Sequence, residues 1–227
     1  MRSTGSAGPR LLQRQHPEEP VGSGCCKAPA GAFFSSSGTS VPRCGCLCMK
    51  RFCLLAVLGL SACAAGPDYY AAETPKMDFI TYFSGTTHGY GAIYDFRGRQ
   101  TDRFYVKVEG TAGKDSRGRR TLEMAEDFTY TSGKTQKRNW SVVEIAPGQL
   151  EGKAADVPGL AKGTESGSAI QFRYPITITR DNGKTITLSS NDWMWMMPHN
   201  TVQNRNTLSK FGVPVAELVM SFTKSAP

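Results

Sequence analysis

The residues best suited to chemistry or binding lie in one segment near the end of the 227-residue chain, Asp192-Trp193-Met194-Trp195-Met196-Met197-Pro198. Side chains of an extended strand alternate between its two faces, so the two tryptophans and Met197 share one face. The other two methionines share the opposite face. The pattern fits a strand buried on both sides or a barrel strand that another element covers. It fits equally one wall of an apolar cavity or a membrane-facing lip, because methionine and aromatic side chains adapt to flexible acyl chains.

Four polar residues near this segment could order the mouth of such a cavity. They are Asp192, Asn204, Arg205 and Lys210. Arg205 could equally form a structural ion pair with Asp192 that helps to close the fold. The sequence alone leaves both interpretations open.

No residue spacing in the chain after Cys63 indicates catalysis or a metal site. All seven cysteines lie at or before this position, so the rest of the chain has no cysteine ligand or nucleophile. His88 and His199 follow it, without the H-x-E, H-x₃-H or H-E-x-x-H spacing of metal sites. An enzyme would need His88, Asp95 or Asp192 to converge in a cavity. We expect no metal, no cofactor and no enzymatic activity.

The first 62 residues have the organisation of an export signal preceded by unrelated sequence. Residues 1–48 are rich in Gly, Ser, Pro and Arg and lack a hydrophobic period. Met49-Lys50-Arg51 is basic, and an apolar run over 52–60 follows that is too short to span a membrane. We predict a signal peptide over 49–62 with translation beginning at Met49. Residues 1–48 are then spurious or, alternatively, a real disordered extension.

A lipid attachment site follows the signal peptide. Leu60-Ser61-Ala62-Cys63 resembles the bacterial lipobox, which implies cleavage before Cys63 and acylation of its sulfur and its new amine. Several acyl chains give stable membrane anchoring. Ala64, where Asp would signal inner-membrane retention, favours the periplasmic face of the outer membrane, with the inner membrane as the alternative. We expect residues 63–77 to be a tether and residues 78–227 to form the folded domain.

The charge of the chain does not indicate a nucleic-acid partner. Residues 1–62 hold 7 of the 27 basic and 2 of the 19 acidic residues, and so +5 of the net charge of +8. The folded domain is therefore only weakly basic, and we expect no nucleic-acid binding.

The sequence after residue 78 alternates with period 2, as in Ile170, Phe172, Tyr174, Ile176 and Ile178. Turn signals such as Asn182-Gly183 separate the alternating runs. The pattern predicts an all-β antiparallel up-and-down meander that closes into a lipocalin-like β-barrel of about 8–10 strands, with a β-sandwich as the alternative. We predict strands over 79–83, 88–96, 102–111, 120–131, 136–145, 149–155, 168–180, 184–196, 199–206 and 215–223.

Motifs along this domain resemble those of a family of bacterial lipoproteins called domain of unknown function 3833. They include Phe83-x-Gly85, Gly89-Tyr90-Gly91, Arg138-x-Trp140, Asp192-Trp193-Met194 and Lys210-Phe211-Gly212. The resemblance covers roughly residues 64–224. It implies a lipoprotein with a β-rich, lipocalin-like fold, and it supplies no activity and no catalytic residues.

We therefore expect a lipid-anchored, periplasm-facing envelope protein whose barrel binds an apolar ligand such as a fatty acyl chain or a lipid. One alternative is an interaction lipoprotein with a filled barrel that presents loops 112–120 and 157–168 to an envelope partner. The other alternative is an enzyme that acts on a lipid-like small molecule. The candidate ligand-binding residues are Trp193, Met194, Trp195, Met197, Tyr90, Trp140, Asp192, Asn204 and Arg205.

Overall fold

The computed structural model describes residues 65–180 and 182–225. The predictions for residues 1–48, for the signal peptide and for Cys63 lie outside these residues. Two 3₁₀ helices occupy Pro67–Tyr70 and Pro198–Asn200, and helix α1 occupies Phe79–Phe83. The strands are β1 (Gly85–Asp95), β2 (Gln100–Lys114), β3 (Arg120–Tyr130), β4 (Thr135–Ala146), β5 (Gln149–Ala154), β6 (Ala161–Ser166), β7 (Ala169–Thr179), β8 (Thr185–Met197), β9 (Thr201–Lys210) and β10 (Val213–Thr223).

The ten strands of the described residues form one closed antiparallel barrel. Each strand pairs with its neighbours in sequence, and the pairing of β1 with β10 closes the ring. The all-β up-and-down barrel predicted from the alternating sequence is confirmed, and the alternative β-sandwich is wrong. Closure pairs the first strand with the last, β1 with β10, so neither end of the sheet is left open to other chains.

Helix α1 closes the end of the barrel at which β1 begins. Asp78 caps the helix, since its Oδ1 accepts a hydrogen bond of 3.0 Å from the Thr81 N–H. The rings of Phe79 and Phe83 turn into the barrel, 5.1 Å from the rings of Phe172 and Phe222 respectively. This end is called the closed end below, and the opposite end is called the mouth.

Helix α1 and β6 were not predicted correctly. The prediction of a strand over 79–83 was wrong, because the segment is apolar at nearly every position and therefore carries no period to distinguish a strand from a helix. Strand β6 lies where we predicted a loop over 157–168. It is short and mostly polar, Ala-Lys-Gly-Thr-Glu-Ser, so its alternation is too weak to recognise.

The segment between residue 70 and helix α1 lies against the barrel. The ring of Tyr70 packs edge-on against Trp193 and Trp195, with centroids 5.9 and 6.2 Å apart. The Met77 N–H donates to the Gly167 carbonyl oxygen over 2.8 Å. The structure therefore adds contacts along residues 70–77, where the sequence predicted a tether. Within residues 65–180 and 182–225, none of the helices has the length and apolar character needed to cross a membrane.

Candidate ligand cavity

The barrel encloses a cavity of about 620 Å³. Its floor is the closed end, where Phe79, Phe83, Phe172 and Phe222 are all buried. Its mouth lies at the opposite turns, where the exposed residues Lys134, Thr135 and Gln136 border it. A cavity of this size is typical of small-molecule sites. The apolar side chains of its wall are Ile93, Met124, Phe128, Trp140, Val142, Ile176, Ile178, Met194, Leu208, Leu218 and Met220.

A cluster of polar side chains interrupts this apolar wall about midway between floor and mouth. All but Asp156, which lies in the turn after β5, occupy inward strand positions that alternation would otherwise give to apolar residues, as Glu126 does between Met124 and Phe128 on β3. Buried polar groups need hydrogen-bond partners, so this cluster is the chemically distinctive part of the cavity. Its members are Glu126, Arg138, Asp156, Tyr174, Asp192, Asn204 and Asn206.

Asp192 has hydrogen-bond partners for both of its carboxylate oxygens. Asn204 Nδ2 donates to Oδ1 over 2.5 Å, and the Tyr174 hydroxyl donates to Oδ2 over 3.0 Å. Burial raises the pKa of Asp192 to about 6, although these two hydrogen bonds and the Arg138 charge lower it. Asn206 Nδ2 reaches the Tyr174 hydroxyl at 3.3 Å. This side of the cluster is a satisfied network.

The other side of the cluster holds two unsatisfied atoms. Arg138 Nε donates to the Asp156 carboxylate over 3.1 Å, and the guanidinium carbon lies 4.3 Å from the centre of the Trp140 ring. Arg138 Nη2 and Glu126 Oε2, in contrast, are buried and have no hydrogen-bond partner among the described residues. Burial raises the pKa of Glu126 to about 7, and the charges of Asp192 and Asp156 raise it further. The Arg138 charge and the Trp140 indole lower it.

The candidate residues of the Trp-Met segment are divided between the two faces of β8. Met194 and Asp192 point into the cavity, as do Trp140 on β4 and Asn204 on β9. Trp193, Trp195 and Met197 lie on the outer face, which corrects the interpretation that placed them on the cavity wall. The two indole rings are packed there, because they stack on each other with centroids 5.6 Å apart and an interplanar angle of 2°, and the Tyr70 ring covers them.

Two further candidates lie outside the barrel. Tyr90 is exposed on the outer face, 5.4 Å from the Tyr105 ring. Arg205 is exposed and pairs with Glu217 on β10. The suggested ion pair between Arg205 and Asp192 was therefore wrong. Side chains at successive register positions point to opposite faces of the barrel wall, so Arg205 points outward and Asp192 inward.

The residues that an enzyme was expected to need lie apart. His88 is on the outer face of β1, where its Nδ1 lies 2.6 Å from the Tyr105 hydroxyl. Asp95 caps the β1–β2 turn and accepts hydrogen bonds from the Arg97 and Arg99 N–H groups. Only Asp192 faces the cavity. In the described part of the chain, no three His, Cys, Asp or Glu residues are grouped as metal ligands would be.

Sequence reasoning missed Glu126, Arg138, Tyr174 and Asn206 as site residues. The sequence did contain a signal for Glu126. It lies an even number of residues from Leu122 and Met124, so the alternation of β3 directs all three side chains inward. A charged residue at an inward position of an alternating strand is unusual enough to mark a site.

The fold and the cavity define a class, a closed lipocalin-like β-barrel with an internal cavity. A family model described as "Protein of unknown function (DUF3833)" matches residues 57–224. The chain belongs to this family. Among solved structures, it is similar to an S-type phycobiliprotein lyase from Guillardia theta, with 10% sequence identity and a TM-score of 0.48. The match covers 66% of this chain and 92% of the lyase. No curated protein matches the chain.

Proposed function

We propose that this protein is a non-enzymatic lipoprotein of the bacterial envelope whose barrel binds one apolar ligand, such as a fatty acyl chain or a lipid. The observation that carries the proposal is the cavity of about 620 Å³ between the aromatic floor and the mouth. Protein interiors are close-packed and rarely contain voids much larger than a water molecule. A barrel that served only as a rigid scaffold would be expected to have a filled interior.

The lining of the cavity supports an elongated ligand that is mostly apolar. Phenylalanine rings form the floor, and Met124, Met194 and Met220 lie along the wall. Flexible methionine side chains conform to ligands that lack a rigid shape. The exposed residues Lys134, Thr135 and Gln136 at the mouth leave a route for entry from solvent.

The membrane anchor and its location rest on the sequence at Cys63. The test is metabolic labelling with an alkyne fatty acid in a Gram-negative host, followed by separation of the two membranes on a density gradient. We expect label on the wild-type chain, in the outer-membrane fraction, and none on Cys63→Ser. A label that persists in Cys63→Ser would refute lipidation at this residue, and an inner-membrane fraction would refute the proposed location.

Ligand binding is tested by native mass spectrometry of the full chain after release from detergent micelles. Ala216 lines the cavity near the mouth, so Ala216→Trp should fill part of the space that a ligand needs. The matched control is Ala125→Trp, which adds the same side chain on the exposed outer face of β3. We expect a lipid adduct on the wild-type and control chains and little on Ala216→Trp.

An empty wild-type barrel would contradict the binding proposal and favour the interaction lipoprotein. An adduct of equal intensity on Ala216→Trp would place the lipid outside the cavity. Circular dichroism of the three chains establishes that each retains its β structure, so a lost adduct is not a lost fold.

A further inference from the structure

We propose that the ligand carries one uncharged polar group, able both to donate and to accept a hydrogen bond, and that this group binds between Glu126 and Arg138. A hydroxyl is the simplest such group, as in a long-chain alcohol or a monoacylglycerol. The inference rests on the proposed function, because it names the ligand class of the same cavity.

The pairing of β3 with β4 places Glu126 and Arg138 directly opposite each other. Both side chains border the cavity. Arg138 nevertheless turns its Nε to Asp156 and its guanidinium plane to Trp140, and Glu126 has no ion-pair partner among the described residues. The two buried side-chain atoms without partners in the described residues are Glu126 Oε2 and Arg138 Nη2.

Unsatisfied buried atoms of this kind are rare in folded proteins and costly, so a pair of them at one cavity wall indicates a ligand group that completes them. Glu126 Oε2 offers an acceptor and Arg138 Nη2 offers a donor. A hydroxyl has one hydrogen to donate and lone pairs to accept, and it can satisfy both atoms at once. A hydrocarbon end would satisfy neither of them.

The charges of the cluster argue against an anionic head group. The carboxyl groups of Glu126, Asp156 and Asp192 face one guanidinium, that of Arg138. A carboxylate or phosphate would add another negative charge to a region of low dielectric that already has an excess of acidic groups. The proposal therefore separates this barrel from one that recognises the carboxylate of a fatty acid.

A cationic head group is also disfavoured. An ammonium group has three donors and no acceptor, so it could satisfy Glu126 Oε2 but not Arg138 Nη2. It would also lie next to the guanidinium, a like charge. Only an uncharged group with both capabilities satisfies the two atoms without placing a new charge beside the cluster.

The test compares three probes with the same chain, oleyl alcohol, oleic acid and oleylamine, bound to the full-length protein. Native mass spectrometry at about pH 8 keeps the Glu126 carboxyl mostly ionised, given its pKa of about 7. We expect the alcohol to bind about tenfold or more tightly than the acid or the amine, the difference of one hydrogen bond to a charged group. An acid that binds as tightly as the alcohol would overturn the inference.

Two variants assign the preference to this pair of residues. Arg138→Met keeps the approximate length of the side chain but removes both the donor and the like charge that disfavour the amine, so the preference for the alcohol over the amine should fall to about threefold or less. Glu126→Gln removes one negative charge and keeps the shape, so it should narrow the difference between acid and alcohol even if Arg138→Met fails to fold. The control is Asp127→Asn, at the next position on β3 but outside the barrel, where Asp127 pairs with Lys137.

The outcomes distinguish this inference from the proposed function. If none of the three probes binds the wild-type chain, the proposed function fails. If the probes bind without the expected order, or if Glu126→Gln behaves as Asp127→Asn does, the cavity binds apolar chains but this pair of residues does not select the head group.

Discussion

Asn204 Nδ2 donates to Asp192 Oδ1 over 2.5 Å, inside the barrel wall, although the two side chains come from different strands. Asn204 is among the most fully buried residues of the described chain. Its Nδ2 also donates to the Trp193 carbonyl oxygen over 2.9 Å. The hydrogen bonds of this amide thus join the side chain and the backbone of β8 to β9.

Removing this amide should destabilise the barrel. Asn204→Ala leaves Asp192 Oδ1 without its donor, and an unsatisfied buried carboxylate costs about 2–3 kcal/mol of the free energy of unfolding. Urea denaturation followed by tryptophan fluorescence measures the loss. Arg205→Ala, one residue away but exposed in a surface ion pair, should change the stability by less than about 0.5 kcal/mol. Equal effects of the two substitutions would refute the role given to Asn204.

The stability of the protein should fall as the pH rises from about 5 to 8. Burial raises the pKa of Glu126 to about 7, so the folded state holds its proton where the unfolded chain, with a value near 4.5, has lost it. The stabilisation is complete below the unfolded value and is lost as the pH rises through the folded value. For Glu126 we expect a loss on the order of 2–3 kcal/mol.

Glu126→Gln removes this titration and should flatten that part of the stability profile. Urea denaturation at several pH values gives the free energy of unfolding of the wild-type chain and of Glu126→Gln. Asp192 and Glu165, whose pKa burial raises to about 6 and about 7, leave a residual slope in the variant. A wild-type chain whose stability rises between these pH values would contradict the assignment.

A methyl group at Gly110 should dislodge the helix that closes the barrel. A Cβ there would lie 1.9 Å from the Phe83 carbonyl oxygen, a backbone atom that cannot move without helix α1. Gly110→Ala should cost about 1–3 kcal/mol or more, the usual cost of overpacking. Gly113→Ala on the same strand approaches only the Thr121 hydroxyl at 3.2 Å and serves as the control. Thermal unfolding that does not distinguish the two variants would contradict this close contact.

Replacing the outer tryptophans should loosen the N-terminal segment and leave the cavity intact. Trp193→Ala removes the stack with Trp195 and one of the contacts to Tyr70, about 0.5–1.5 kcal/mol of aromatic interaction. Limited proteolysis should then cut faster between residues 65 and 77, with the affinity for apolar probes unchanged within twofold. A loss of probe binding, as expected for Trp140→Ala in the cavity wall, would show that Trp193 acts on the cavity.

The alternation of the sequence predicted most of the barrel, because a period of 2 reports directly on which residues share a face. It could not report which face is inside when both are apolar. On β8 the outer face is apolar because Tyr70, distant along the chain, covers it. That contact is a property of the folded chain, and no local pattern encodes it.

The polar cluster escaped prediction for a related reason. Glu126, Arg138 and Asp192 lie on three strands, β3, β4 and β8, of which β8 is far from the other two in the sequence. Their proximity depends on barrel closure and on the register between strands. The sequence could indicate that Asp192 is unusual, but only the register shows that its partners are Asn204 and Tyr174.

The closed end of the barrel restricts the route by which a molecule could reach the cavity. Because helix α1 and its phenylalanines fill that end, a ligand of the proposed kind would have to enter and leave through the same mouth. A barrel of this kind would bind and release a molecule at one end, and it would not act as a channel open at both ends. The segment over 70–77 also lies beside the closed end, where the Met77 N–H donates to the Gly167 carbonyl oxygen. If Cys63 carries the proposed lipid anchor, the chain joins the barrel at the end opposite the mouth.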